Sequence, residues 1–253
     1  MKHLYKNNII NFMNSNNFKT IIVCQLLITL YSFFAYGLVL NKEINLSYLD
    51  KYININSSIW FFSISYIFLL LFVQIYIIKK CTYNYILVSR FNNIKAFWKF
   101  IRNIILLVNS ILYFVSQILL LIMLNFTINK FEIKVMDTYN ITNITYSIFV
   151  FIKNYLLMLS ISLLNFNLIR VFKEKIVIIC NVLLFTYMST SLLRIGTVKR
   201  INDMSFYLYD YIAGCKYSSF KLEIICFLIF NIIIIAISNI LFFYSNKKLK
   251  GVI

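Results

Sequence analysis

Apolar stretches of about 20 residues recur along the whole chain, and they constrain its fold more than any other feature. A helix of that length crosses the hydrocarbon core of a bilayer. Hydrophobic residues make up 61% of the 253 positions, and the mean hydropathy is +0.81. Soluble domains are nearer half apolar. We therefore expect an all-α, polytopic membrane protein in which no separate soluble domain fits between the spans.

Six membrane-spanning helices are predicted within a single transmembrane domain that covers residues 1–253. Proline is absent and glycine occurs four times, so neither kinked spans nor glycine-rich loops are evident. The predicted spans lie at about residues 21–40, 59–78, 104–126, 144–169, 176–193 and 222–244.

The distribution of charge predicts the orientation of these spans. The N-terminus, the second and fourth loops and the C-terminal tail hold 15 Lys and Arg residues, against 9 in the other three loops. Seven of the eight acidic residues lie on the side with fewer cations. Because cytoplasmic loops carry an excess of Lys and Arg, both termini are predicted to be cytoplasmic. The same distribution explains the net charge of +17 without nucleic acid, which we do not expect as a partner.

Residues that could support catalysis are scarce. The single histidine is His3, so neither an HExxH metal site nor a Ser-His or Cys-His hydrolase is encoded in a recognisable form. No GxxxxGK[ST] motif is present, and the five cysteines form no CxxC pair. We predict that the chain is not an enzyme and has neither catalytic residues nor a metal site.

One charge lies well inside a predicted span. Placing a lysine such as Lys153 at the centre of a membrane helix costs about 2.5–3.5 kcal/mol. Either the ammonium group faces a translocation path or a neighbouring polar group, or its long stem carries it to the outer interface. The second interpretation is slightly favoured.

Uncharged polar side chains are scattered through the spans as well. They could bond between helices, which is the favoured interpretation, or line a substrate path. They are Gln25, Gln74, Asn109, Gln117, Asn165, Asn167, Asn181, Asn231 and Asn239.

The cytoplasmic segment 79–102 combines cations with an amphipathic pattern and contains no acid. Phe91, Ile94, Trp98 and Ile101 are spaced as on one face of a helix. This spacing predicts a helix lying in the membrane interface, with the Trp98 ring at headgroup depth.

The chain resembles the ABC-2 type permease subunits of bacterial ABC transporters. The resemblance rests on the six predicted spans, the cytoplasmic termini, the missing catalytic groups and the sequence ILVSRFNNIKAFWKFIRN at 86–103. The resemblance is closest to the small permeases associated with lantibiotic immunity and peptide toxin export. That family has an arginine, a basic cluster and an aromatic leading into the third span, and Arg90, Lys95, Trp98 and Lys99 fill these places. Its usual proline near the outer loop is absent here.

The resemblance implies a type V exporter-like bundle in the bacterial cell membrane. Segment 79–102 would be the coupling helix that contacts a separate ABC ATPase subunit, and that subunit would carry the ATP and Mg. A six-span chain would be half of a permease, so a second copy or a homologous permease is implied. The cargo would be amphipathic or antimicrobial peptides.

Three alternatives remain open from the sequence. The cytoplasmic cations could instead attract anionic membrane lipid. The chain could be a standalone immunity or accessory protein that binds a peptide or a partner without ATP-driven transport. It could also be a subunit of a different importer.

Overall fold

A computed structural model describes residues 14–34, 47–83, 88–89, 91, 93–127, 132–133, 135–136, 139–190 and 219–250. This part of the chain is mostly helical. Its helices are α1 (Asn16–Ser32), α2 (Tyr48–Asn56), α3 (Ile59–Phe62), α4 (Leu69–Thr82), α5 (Ile94–Thr127), α6 (Asn143–Val171), α7 (Glu174–Thr190) and α8 (Phe220–Lys250). A π-helical segment, Ser63–Phe68, joins α3 to α4, and a short hairpin pairs β1 (Val135–Met136) with β2 (Ile141–Thr142).

Four helical stretches in the described residues are long and apolar enough to cross a membrane: Ser63–Thr82, Ile94–Asn125, Asn143–Val171 and Phe220–Ser245. They coincide with the predicted spans 59–78, 104–126, 144–169 and 222–244. The predicted spans 21–40 and 176–193 overlap α1 and α7. Each of these two helices is 17 residues long. Residues 35–40 and 191–193 lie outside the described part. The chain is therefore a helical, multi-pass membrane protein.

The outer surface of the bundle is apolar, as a lipid environment requires. Large hydrophobic side chains such as Ile118 on α5, and Ile232 and Phe243 on α8, are 55%, 64% and 70% exposed. Exposure of so many large apolar side chains is unusual on a soluble monomer. These helices bury their opposite faces in one core, which includes Phe62, Leu112 and Leu157.

Helix α6 lies at the centre of the bundle and packs against both α5 and α8. It runs antiparallel to α5, since Asn109 pairs with Ser162 while Tyr113 bonds to the carbonyl of Phe151. It runs parallel to α8, because both helices begin at the end of the bundle that also holds α2 and the hairpin.

Two elements differ from the sequence prediction. Helix α2 occupies part of the predicted loop between the first two spans, where Ser47 and Asp50 form a reciprocal capping box. Helix α5 begins at Ile94, whereas the predicted span began at residue 104. Residues 94–102 are therefore the first turns of a long helix rather than a separate interfacial helix, because several of their apolar side chains pack into the bundle core.

Candidate functional site

The ammonium group of Lys153 is sealed inside the bundle. Its side chain is 0% exposed, and Nζ donates to Glu223 Oε1 on α8 over 3.1 Å. Nζ also lies 5.5 Å from the centre of the Phe149 ring. The favoured interpretation, in which the lysine reaches the outer interface, is therefore wrong. A neighbouring carboxylate keeps the charge inside because it offsets much of the cost of burial.

The carboxylate of Glu223 is held from several directions. Tyr139, in the hairpin turn, donates to Oε2 over 2.7 Å. The Tyr146 hydroxyl lies 3.1 and 3.3 Å from the two carboxylate oxygens. Glu223 also stands in the first turn of α8, where the helix dipole favours a negative charge. These contacts tie the hairpin, α6 and α8 together at one point.

Polar contacts continue from this charge pair along the α6–α8 interface. Ser160 donates to Asn231 Oδ1 over 2.7 Å, and Asn167 Nδ2 donates to Ser238 Oγ over 2.8 Å. Lys153, Ser160 and Asn167 are seven residues apart on α6, so the contacts recur every two turns on one helix face. The interface is thereby held in one register.

A second buried polar network lies between α2, the π-helical segment and α5. The Tyr52 hydroxyl donates to Gln117 Oε1 over 2.7 Å. Gln117 Nε2 donates to Asn56 Oδ1 and to the Tyr66 hydroxyl, over 2.8 and 2.9 Å. Tyr66 in turn bonds Ser116 at 2.7 Å. Gln117 is 1% exposed and uses both ends of its amide, so it is the centre of this network.

Burial, followed by the nearby Tyr66 and Tyr48 hydroxyls, raises the pKa of Tyr52 well above its usual value of 10.0. Its hydroxyl therefore stays protonated and remains the donor to Gln117 across the physiological range. In the unfolded chain the phenol ionises near pH 10. The folded state therefore loses stability relative to the unfolded chain as pH rises above that value.

We expect the wild-type protein to lose stability above pH 10, with a contribution from Tyr52 of up to about 1.4 kcal/mol per pH unit. Tyr52→Phe removes that contribution and should make the pH dependence shallower, while its stability below pH 10 is lower. Unfolding in detergent measured from pH 7 to 11 checks this. An unchanged slope would contradict the assigned environment of Tyr52.

Packing between helices, the favoured role for the polar residues of the spans, is seen for Asn109, Gln117, Asn167 and Asn231. Asn165 and Asn181 also exchange amide hydrogen bonds, which join α6 to α7 at 3.2 and 3.0 Å. Gln25 and Gln74 differ, since each is fully buried and its amide atoms have no hydrogen-bond partner among the described residues. Asn239 is exposed on α8.

The residues predicted to couple to an ATPase differ in their exposure. Lys95 and Lys99 are exposed on the first turns of α5. Trp98 is half-buried, and its ring contacts Phe97 and Phe166 within the bundle. Trp98 therefore contacts the neighbouring helix α6. Arg90 lies outside the described residues.

The end of the bundle where α5 begins and α4 and α6 end is strongly positive, and we call it the basic end. The Lys79 ammonium lies 2.8 Å from Glu174, which joins α4 to α7 there. Further described cations at the basic end are Lys19, Lys80, Lys95, Lys99, Arg102, Arg170, Lys173 and Lys175, and α8 ends there with Lys247, Lys248 and Lys250. Such a surface suits an acidic partner or anionic lipid.

Sequence reasoning missed Glu223 as the partner of Lys153. A signal was present, since Glu223 is the second residue of the predicted span 222–244 and an acid inside a membrane segment needs a partner. It also missed α2, although the Ser47–Asp50 spacing is that of a capping box.

Fold and sites together define a multi-pass helical membrane protein with a buried ion pair at one end and a basic surface at the other. Among the described residues, no group of three or more His, Cys, Asp or Glu side chains could hold a metal ion. No family model, curated protein or solved structure matches the chain.

Proposed function

We propose that this chain is the permease subunit of a bacterial ABC transporter, driven by a separate ATPase that docks on the basic end. The observation that carries the proposal is the continuity of α5 with its basic first turns. The cargo class is amphipathic or antimicrobial peptides, by resemblance to the small ABC-2 permeases.

Helix α5 is longer than a bilayer requires. Its 34 residues span about 51 Å, while the hydrocarbon core is about 30 Å thick. Its first turns therefore project from the membrane and present Lys95 and Lys99 to solvent. A partner that moved these turns would move the transmembrane part with them, because one unbroken helix connects the two.

Helix directions support six crossings. Asn17, at the start of α1, donates to Tyr76 near the end of α4, so α1 begins at the basic end. Helix α3 begins at the opposite end, so the chain crosses between them. Likewise α6 ends at the basic end and α8 begins opposite it, so the chain returns between residues 171 and 220. Together with the four long helices, these directions favour six crossings, with α1 beginning and α8 ending at the basic end.

A charge-reversal variant tests the docking surface. We expect Lys95→Glu with Lys99→Glu to lower recovery of the ATPase about tenfold or more, equivalent to about 1.4 kcal/mol, because two attractive charges become repulsive. The measurement is co-purification in mild detergent with quantitative mass spectrometry. Membrane insertion should be unchanged, since both side chains are exposed.

The matched control is Lys173→Glu with Lys175→Glu, which changes the charge equally on exposed positions at the same end. An equal loss in both variants would show that net charge alone attracts the partner. Normal recovery in the α5 variant would contradict docking through its first turns. Purification of the wild-type chain alone, or with only a small peptide, would favour a standalone immunity or accessory protein.

A further inference from the structure

Helix α1 turns a mostly polar face into the bundle. Three of the four side chains that it buries are polar, namely Gln25, Thr29 and Ser32. Its large apolar side chains lie on the outer surface instead, and Val23 and Leu27 are both exposed. Polar side chains of a membrane helix face either the interior of the bundle or a water-filled cavity. The inner face of α1 therefore suits contact with water as well as with protein.

Polar groups around this face have no hydrogen-bond partners among the described residues. Gln25 on α1 and Gln74 on α4 are fully buried, and neither amide is bonded. The same is true of the Ser63 and Ser65 hydroxyls in the π-helical segment. Helix α1 packs against both the π-helical segment and α4. Six buried polar atoms on these four side chains are therefore unmet in this conformation.

The unmet groups of α1 and of the π-helical segment lie at the same level in the bundle. Asn17 near the start of α1 bonds to Tyr76 near the end of α4, so the two helices are antiparallel. Gln25 lies eight residues beyond Asn17, which is about 12 Å further from the basic end. Phe68, the last residue of the π-helical segment, lies eight residues before Tyr76. Gln25 is therefore level with the end of that segment.

The interface between α6 and α8 differs, because its polar side chains pair across the two helices. Lys153 bonds to Glu223, and Ser160 bonds to Asn231. Buried polar groups normally have partners, so a group of unmet ones needs an explanation, such as stored strain that a second conformation relieves. A π-helix in the same place supports this explanation, since such segments are rare and frequently occur at functional sites.

We propose that α1 is a movable helix, which in a second, open conformation separates from the π-helical segment and α4 and admits water to Gln25, Ser65 and Gln74. Water then supplies the hydrogen bonds that these side chains lack in the described conformation. The separation exposes mainly polar side chains on α1. The bond from Gln117 to Tyr66 keeps the π-helical segment on α5 meanwhile. This movement does not depend on the chain being a permease.

The reaction of a buried thiol with a small, water-soluble methanethiosulfonate reagent tests the opening in lipid vesicles. Ser65→Cys places a thiol of similar size on the π-helical segment. Peptide mass spectrometry separates its labelling from that of the five native cysteines. Because the thiolate is the reactive form, labelling reports contact with water. We expect Ser65→Cys to react at least about tenfold faster than the control Val150→Cys, since only the first thiol becomes hydrated when α1 moves.

Val150→Cys is matched to Ser65→Cys in burial and in depth. Both native side chains are fully buried. Tyr66, the neighbour of Ser65, packs against Tyr113 with ring centres 5.0 Å apart. The Tyr113 hydroxyl donates to the carbonyl of Phe151, the neighbour of Val150. Val150 packs with the side chains of the hairpin rather than with α1. Equal labelling of the two variants would overturn the proposal.

Gln25→Leu removes the unmet amide of α1 at a similar side-chain volume. Leucine is better buried than hydrated, so the open conformation becomes rarer. We expect labelling of Ser65→Cys to be about tenfold slower when Gln25→Leu is also present, equivalent to about 1.4 kcal/mol. Gln25→Leu alone should raise the melting temperature by about 2 °C or more. This second measurement needs no cysteine variant, so it serves if Ser65→Cys does not fold.

Gln117→Leu is the matched control, because it makes the same change at an amide that is bonded at both ends. It should lower the melting temperature. A lower melting temperature in Gln25→Leu as well would show that the Gln25 amide is bonded in the folded protein. Unchanged labelling of Ser65→Cys in the presence of Gln25→Leu would show that water reaches Ser65 without a movement of α1. Either result would overturn the proposal.

Discussion

Replacing Lys153 by methionine should lower the free energy of unfolding by about 3–5 kcal/mol, which is the largest effect we expect from a single substitution. Methionine has a similar length and no charge, so the packing volume is largely kept. What it leaves behind is the Glu223 carboxylate, 1% exposed and still facing the space that the ammonium group occupied. A buried charge without its counter-charge is strongly destabilising.

The double variant Lys153→Met with Glu223→Gln separates this effect from a loss of packing. The glutamine is neutral, and its amide oxygen can still accept from Tyr139 and Tyr146, which bond to Glu223 in the wild type. Replacing both members of a buried ion pair is often close to neutral. We therefore expect the double variant to recover most of the stability that the single variant loses.

Denaturant or thermal unfolding in one detergent measures all three proteins, with Lys175→Met as the control. Lys175 is exposed, so removing its charge should change stability by less than about 0.5 kcal/mol. Wild-type stability in Lys153→Met would contradict the buried pair. A double variant as unstable as the single one would show that packing, rather than charge, carries the cost.

The second large effect is expected at Gln117, the centre of the network between α2, the π-helical segment and α5. Gln117→Leu removes the acceptor of the Tyr52 hydroxyl and the donor to Asn56 Oδ1. Each buried group left without a partner costs about 1–3 kcal/mol, so with two such groups the total loss should be at least about 2 kcal/mol. Tyr66 loses the donor Gln117 Nε2 but keeps its bond to Ser116, so it should add less to the loss of stability.

A double-mutant cycle with Tyr52→Phe tests whether these groups act together. In Gln117→Leu the Tyr52 hydroxyl is stranded, so removing it as well should cost less than in the wild type. Ile118→Ala is the control on the same helix, since Ile118 is 55% exposed and contacts the lipid side. Strictly additive losses from Tyr52→Phe and Gln117→Leu would contradict the network.

The sequence predicts some features of the basic end, whereas others depend on the tertiary structure. The basic end could be anticipated from the sequence, because its cations are close together in the chain and lie near the ends of the apolar spans. Lys95 and Lys99 are exposed at this end. The contacts of Trp98 and Arg170 could not be anticipated, because they depend on how three helices approach each other.

Local properties of the sequence determined the class of protein. Long apolar stretches require helices that cross a membrane, and each of the four long helices lies where hydropathy predicted a span. The helix that starts at the Ser47 cap was missed, although its capping box is also a short-range pattern that the sequence contains. These features depend on neighbouring residues and on the solvent, so no tertiary contact was needed to predict them.

Only the tertiary structure decided which membrane-embedded polar groups meet. Lys153 is ten residues beyond the start of α6, whereas Glu223 is three residues beyond the start of α8. Spans that begin at one level would separate the two charges by about 10 Å. The helices are instead staggered by about two turns, which brings the charges level. Stagger and register are set by side-chain packing across the whole interface, and a pattern within one helix carries no information about them.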